Sequence, residues 1–129
     1  MAEEPTHIET TPEHFETFKA ACLRWRERLG LHQWQLYFKH GADPGMFAQA
    51  VFQGDCTAAT IRLAVEWSSL RPLTDEELDR CALHEMLHLM TGELNWAASC
   101  RYCTEDEVEN AEERLVCRIE ALIERGIVT

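Results

Sequence analysis

Hydrophobic side chains recur every three to four positions in the first part of the chain, a spacing that predicts a helix. They are Phe15, Phe18, Cys22, Trp25 and Leu29. Thr11 followed by Pro12 predicts where this helix begins, because a hydroxyl side chain caps the first backbone amides and proline is tolerated at the first helical position. Gly30 predicts its end. The preceding residues 1–10 are predicted to form a loosely ordered leader.

Hydrophobic and polar residues alternate in the next part of the chain, which indicates strands that bury one face. A first strand is predicted at residues 33–39, and the turn-rich residues 41–45 end it. Two further strands are predicted at residues 47–52 and 57–67. Together these strands predict a small, mainly antiparallel sheet.

A second helix is predicted after the strands. Thr74 is followed three residues later by Glu77, a capping-box pattern that begins a helix. The helix is expected to run to about Met90, with Gly92 beyond its end.

A less regular stretch at residues 93–104 leads to a last helix at about residues 105–125, which Gly126 ends. The predicted order of elements is α-β-β-β-α-loop-α. This order predicts an α+β class, with N-terminal and C-terminal helices and a small sheet. A chain of 129 residues with 46% hydrophobic composition is expected to form one domain, over residues 11–129.

Charge and composition exclude several classes of partner. The net charge of -11 would repel a phosphate backbone, so no nucleic acid is expected to bind. No apolar run approaches the roughly 18 residues typical of a membrane span, so no membrane association is expected. The six cysteines occur without an export signal, which favours reduced thiols and a cytoplasmic protein.

Residues 84–88 read His-Glu-Met-Leu-His, an H-E-x-x-H pattern within the second predicted helix. Residues four apart lie one turn above each other, so His84 and His88 can reach one ion from the same side. We expect one zinc ion per chain, because a catalytic zinc usually has three protein ligands, histidine among them, and an open position for water. Glu85 lies beside the first histidine, where its carboxylate can accept a proton from that water.

The predicted motif helix carries hydrophobic residues on two sides, so it is expected to be mostly buried. Buried imidazoles and a buried carboxylate need partners, and a bound dication would supply one. The structural alternative is that His84 and His88 are core histidines satisfied by hydrogen bonds.

The third ligand must come from elsewhere in the chain. The metzincin extension needs glycine and histidine where this sequence has Thr91 and Leu94. In the last predicted helix, the mean direction of the apolar positions passes close to Glu112, which makes Glu112 the candidate ligand and Glu113 the second choice. A hydrogen bond from Glu112 to a ligating histidine is the alternative role. The apolar positions are Val108, Leu115, Val116, Ile119, Leu122 and Ile123.

Two segments of the chain resemble a known family: His84-Glu85-Met86-Leu87-His88 and, less specifically, Glu112-Glu113-Arg114-Leu115-Val116. In these segments the chain resembles the gluzincin-type zincins, especially the minimal, single-domain H-E-x-x-H metallopeptidase-like proteins of bacteria, archaea and phages. The resemblance implies a zincin-like fold, in which a small sheet packs on the active-site helix and an edge strand aligns an extended peptide. It also implies that a glutamate from a later helix completes the zinc site. Residues 57–67 are the expected edge strand.

The expected function is that of a zinc-dependent endopeptidase with a peptide or protein substrate and with Glu85 as general base. Tyr102 or Asn95, in the less regular stretch after the motif, is the candidate donor to the oxyanion. Two alternatives stay open. One is a zinc-binding, non-catalytic regulatory or scaffold protein that retains the site, and the other is a hydrolase of non-peptide amides.

Cys100 and Cys103 form a single C-x-x-C pair. A zinc ribbon needs a second such pair, and a thioredoxin-like site needs a βαβ context, and the sequence has neither. Two roles stay open for this pair: a second metal site with another thiol, or an oxidation-sensitive latch over the cleft.

Overall fold

The computed structural model describes residues 6–42, 47–52, 58–69, 71–100 and 102–126. Along these residues the elements follow the order β-α-β-β-β-β-α-α, which confirms the predicted α+β class. The elements are β1 (Thr6–Glu9), α1 (Pro12–Arg28), β2 (Gln35–His40), β3 (Ala48–Phe52), β4 (Ala58–Leu63), β5 (Glu66–Ser69), α2 (Asp75–Ser99) and α3 (Glu105–Glu124).

Helix α1 begins where the sequence predicts. The Thr11 hydroxyl accepts a hydrogen bond from the His14 N–H, and Nδ1 of His14 accepts one from the Thr11 N–H, which closes a capping box. The same helix packs against α2, where Nε1 of Trp25 donates to the carboxylate of Asp79 at 3.1 Å. This contact anchors the helix that carries the metal motif.

The main sheet has the strand order β2-β4-β3. Strand β2 runs parallel to β4, and β3 runs antiparallel to it. Strands β1 and β5 form a separate antiparallel pair. Two of the three pairings among the described strands are therefore antiparallel. The three-stranded sheet itself has one parallel and one antiparallel pairing, so it is mixed rather than mainly antiparallel as predicted.

The prediction of one edge strand at residues 57–67 is wrong. The segment contains β4 and the start of β5, and it breaks at Ala64 and Val65. Thr10 explains the break, since its N–H donates to the Val65 carbonyl at 2.7 Å and its hydroxyl donates to the Ala64 carbonyl at 2.5 Å. Because β4 lies between β2 and β3, it is the central strand, and β3 is the edge strand that contacts α2.

Thr6–Glu9, which the sequence places in a loosely ordered leader, form β1. The register of β1 with β5 sets Ile8 opposite Trp67, whose side chain is fully buried. A four-residue strand has too few alternations to be recognised locally, because its register depends on a partner far along the chain. The first five residues lie outside the described part of the chain.

Helix α2 is longer than the sequence predicts. It continues to Ser99, so Gly92 is buried inside the helix and Asn95 lies on it. A glycine inside a helix costs about 1 kcal/mol relative to alanine. Burial of apolar side chains on either side of it, among them Leu89 and Ala97, exceeds that cost.

The core lies between α1, α2 and the main sheet, and α3 packs against α2. Within the described part of the chain, every helix is too short or too polar to span a bilayer. The largest fully buried side chains are Trp67, Phe18, Leu31, Ile61, Leu63, Leu78, Met86 and Leu89.

Candidate metal centre

His84 and His88 project from the same side of α2. Their ring centroids are 4.8 Å apart and their planes are 83° apart. Both side chains are exposed, so the alternative that they are core histidines is wrong. The helix therefore presents two imidazoles together at the surface, one turn apart.

Glu85 follows His84 but is only 6% exposed. Burial raises the pKa of its carboxyl, while the two histidines and a hydrogen bond from the backbone of Ala50 oppose that rise. A carboxylate with a raised pKa is a better proton acceptor near neutral pH than an ordinary surface glutamate. The side chain is thus buried, held by a backbone donor and set next to the imidazole pair.

The N–H of Ala50 faces the open edge of the main sheet. Ala64 donates its N–H to the Phe47 carbonyl at 2.7 Å. The alternation of an antiparallel pair then places the ladder hydrogen bonds at Gln49 and turns the backbone groups of Ala48 and Ala50 outward. Among the described strands, β3 has no partner on that side. The buried carboxylate therefore joins α2 to an open strand edge.

A groove of about 480 Å³ adjoins the histidine pair. It is lined by His88, Thr91, Leu94, Asn95 and Ala98. Thr91 and Asn95 continue the histidine side of α2 at helical spacing, and the Thr91 hydroxyl donates to the His88 carbonyl at 3.2 Å. Such a groove is large enough to hold part of an extended ligand.

Helix α3 packs on the other side of α2. Arg114 forms an ion pair with Glu93, and a small cavity between the two helices is lined on α2 by Glu93, Trp96 and Ala97. At about 100° per residue, Glu93 and Ala97 lie roughly 180° around α2 from the histidine pair. The two surfaces of α2 therefore face in opposite directions.

The sequence predicts that Glu112 lies at the centre of the buried face of α3. The structure shows that it does not. The buried residues of α3 are Ala111 and Leu122, and Glu112 and Glu113 are both exposed. The Glu113 carboxylate accepts a hydrogen bond from the Cys117 thiol at 3.6 Å. The structure brings neither glutamate to the histidine pair.

Within the described ranges, no three side chains of histidine, cysteine, aspartate or glutamate are placed to hold a metal ion together. The imidazoles of His84 and His88 fit the donor preference of zinc and would provide two ligands of the three that a catalytic zinc usually has. The described residues therefore fit zinc only in part, because they provide the two imidazoles of the histidine pair but no third ligand beside them.

The structure does not bring both predicted oxyanion donors to the histidine pair. Tyr102 is 84% exposed and follows the C-terminal end of α2. That end lies about 16 Å along the helix axis from His88, at about 1.5 Å per residue. Asn95 is two turns from His88 on the same side, in the groove. Of the two candidates, the structure brings Asn95 nearer to the histidines along α2.

The charge of Glu85 acts on two thiols, those of Cys22 and Cys81. Burial, followed by the charge of Glu77, raises the pKa of Cys81 to about 11. Burial, followed by the charge of Glu85, raises the pKa of Cys22 well above its usual range. Both thiols therefore stay protonated at neutral pH and bring no charge to this part of the core. The other neighbour, Ala50, acts through its backbone, so no side-chain pattern could have revealed it.

No protein-family model, curated protein or solved structure matches the chain.

Proposed function

We propose that this chain is a zinc-dependent endopeptidase with a zincin-like arrangement, in which His84 and His88 hold the ion and Glu85 is the general base. The observation that carries the proposal is the position of Glu85. Its buried carboxylate follows the first exposed imidazole along α2 and accepts a hydrogen bond from the edge strand β3. A structural metal site needs no such base.

Zinc, when bound, would supply a Lewis acid that polarises a carbonyl and lowers the pKa of water towards about 7. Glu85 would accept the proton of the attacking water and pass it to the leaving amine. Its raised pKa supports this role, because it makes the carboxylate a stronger proton acceptor than an ordinary surface glutamate. The hydrogen bond from Ala50 orients the carboxylate while it does so.

An extended peptide would align along β3. The outward backbone groups of Ala48 and the carbonyl of Ala50 face the open edge and can pair with an added strand, while the Ala50 N–H is already bonded to Glu85. The edge and the histidine helix meet at Glu85, so a peptide paired there would pass close to the imidazoles. This assigns the alignment to β3 rather than to residues 57–67.

The proposal places the protein in the cytoplasm. Cys22, Cys81, Cys100, Cys103 and Cys117 are free thiols in the structure. A reducing compartment is where such thiols persist.

The second candidate function is that of a zinc-binding regulatory protein without catalysis. The observation that favours it is that the described residues provide a histidine pair but no three-ligand group. Both candidates predict zinc binding, and only the first predicts cleavage.

The test is to incubate the purified, zinc-loaded protein with a denatured protein substrate, with chelator, and with zinc restored after chelation. We expect cleaved peptides with zinc, loss of cleavage with chelator and recovery when zinc is returned. Bound zinc without any cleavage would support the regulatory alternative. Cleavage that persists in chelator would contradict both the zinc assignment and the proposed mechanism.

A further inference from the structure

The segment that joins α2 to α3 carries two cysteines in a tight turn. Cys100 is the C-cap of α2, and Cys103 immediately precedes Thr104, the N-cap of α3. The N–H of Cys103 donates to the Cys100 carbonyl at 3.4 Å. A hydrogen bond of this kind defines a turn whose first and last Cα atoms are within about 7 Å. Disulfides span Cα separations of about 4.4–6.8 Å, so the backbone is already suited to a bond between these two residues.

The two thiols also contact each other. A hydrogen bond between them lowers the pKa of Cys100, and the Tyr102 backbone contributes in the same direction. The same contact raises the pKa of Cys103 to about 12, and Glu107 adds to that rise. When one thiol of the pair ionises, the other keeps its proton and can donate it to the thiolate, which stabilises that thiolate.

The other described thiols differ from Cys100 in this respect. Burial raises the pKa of both Cys22 and Cys81, and burial together with Glu113 raises that of Cys117. Cys117 is exposed but has no cysteine in a comparable turn. Among the described cysteines, the Cys100–Cys103 pair is therefore where an attacking thiolate can form.

We propose that Cys100 and Cys103 form a redox-active dithiol that closes to an intrachain disulfide across the α2–α3 turn. The partner molecule is a small disulfide of the glutathione type. This site is separate from the histidine pair, since Cys100 follows the C-terminal end of α2. It does not depend on metal or on peptide cleavage.

The reaction has two exchange steps. One cysteine of the pair attacks, as its thiolate, one sulfur of glutathione disulfide. The sulfur–sulfur bond of glutathione breaks, and one glutathione leaves as a thiolate that takes up the proton released by that cysteine. The other cysteine then loses its proton and attacks the sulfur of the first, and the second glutathione leaves and takes up that proton. Two electrons pass from the two cysteines to one glutathione disulfide, which ends as two thiols.

The test uses reduced full-length protein incubated with glutathione disulfide, followed by peptide mapping by mass spectrometry. In the unaltered protein we expect a Cys100–Cys103 disulfide, which lowers the number of free thiols from six to four. In Cys103→Ser and in Cys100→Ser the second step is impossible, so a glutathione adduct on the remaining cysteine of the pair should accumulate.

The Cys117→Ser variant is the matched control, because it removes an exposed thiol outside the turn. It should form the Cys100–Cys103 disulfide at the rate of the unaltered protein. Alkylation of the unaltered protein gives a second measurement that needs no variant, and a member of the Cys100–Cys103 pair should react first among the five described cysteines. Free Cys100 and Cys103 after the incubation, or a lasting glutathione adduct on either residue without closure, would overturn the proposal.

Discussion

The backbone N–H of Ala50 donates a hydrogen bond to the carboxylate of Glu85, and this contact joins the edge strand β3 to the helix that presents the histidine pair. The contact has two consequences. It satisfies a carboxylate that would otherwise be costly to bury, and it fixes that carboxylate beside an edge where a peptide can pair.

Replacing Ala50 with proline removes the donor while leaving the β3–β4 ladder intact, because this N–H points to the open edge. We expect the free energy of unfolding to fall by about 1–3 kcal/mol, the cost of leaving a buried acceptor unsatisfied. Urea denaturation measures the change. In a Glu85→Ala background the same substitution should cost less, since the acceptor is already gone. An equal cost in both backgrounds would show that the two residues are not coupled.

The stability of the protein should fall in alkaline solution because of Cys22. Burial raises the pKa of this thiol above its ordinary value of 9.0, so above that pH the unfolded chain loses a proton that the folded chain keeps. The contribution of Cys22 to the free energy of unfolding is fully present below the pKa that its thiol has in the unfolded chain. It is lost as the pH rises from there towards the pKa of the thiol in the folded protein, by about 1.4 kcal/mol per pH unit.

The Cys22→Ala variant isolates this effect. Urea unfolding at a series of pH values from neutral to alkaline should give a shallower decline for Cys22→Ala than for the unaltered protein. A residual decline is expected in the variant, because burial also raises the pKa of Cys81, to about 11. Equal slopes for the two proteins would contradict the assignment to Cys22.

Zinc affinity should not depend on the glutamates of α3. Glu112 and Glu113 are exposed, and the helix that carries them packs on the side of α2 away from the histidines. A carboxylate ligand must lie at about 2.0–2.2 Å from zinc. We therefore expect Glu112→Gln and Glu113→Gln to bind zinc as the unaltered protein does, measured by calorimetric titration. A tenfold or greater loss in Glu112→Gln, estimated as about 1.4 kcal/mol, would instead support the ligand role that the sequence pattern predicts.

Helix starts could be predicted because their signals are local. Thr11, Thr74 and Thr104 each accept the N–H of the residue three positions later. The histidine pair is equally local, since a spacing of four residues fixes its geometry on any helix. The end of α2 could not be predicted, because burial of Gly92 depends on tertiary packing.

Strand order and the phase of α3 depend on contacts far apart in sequence. Alternation identifies β4 as a strand, but only its pairing with both β2 and β3 makes it central. The last helix has more apolar positions than its contact with α2 covers, and Val116, Ile119 and Ile123 stay exposed. Averaging over all apolar positions therefore points to Glu112 rather than to the face that is buried.

His84→Ala and His88→Ala should each weaken zinc binding at least about tenfold, because each removes one imidazole of the pair. Zinc bound per chain after dialysis measures the loss. His32→Ala is the matched control, since His32 is also an exposed histidine but lies outside α2. Zinc binding that depends on His32 as much as on the pair would contradict the assignment of the site.

The most direct test of the account is the Glu85→Gln variant. The glutamine oxygen can still accept the Ala50 N–H, so zinc content and thermal stability should stay close to those of the unaltered protein. Peptide hydrolysis should fall by about 10²–10⁴, the contribution typical of a general base. Hydrolysis by zinc-loaded Glu85→Gln at the rate of the unaltered protein would contradict the account.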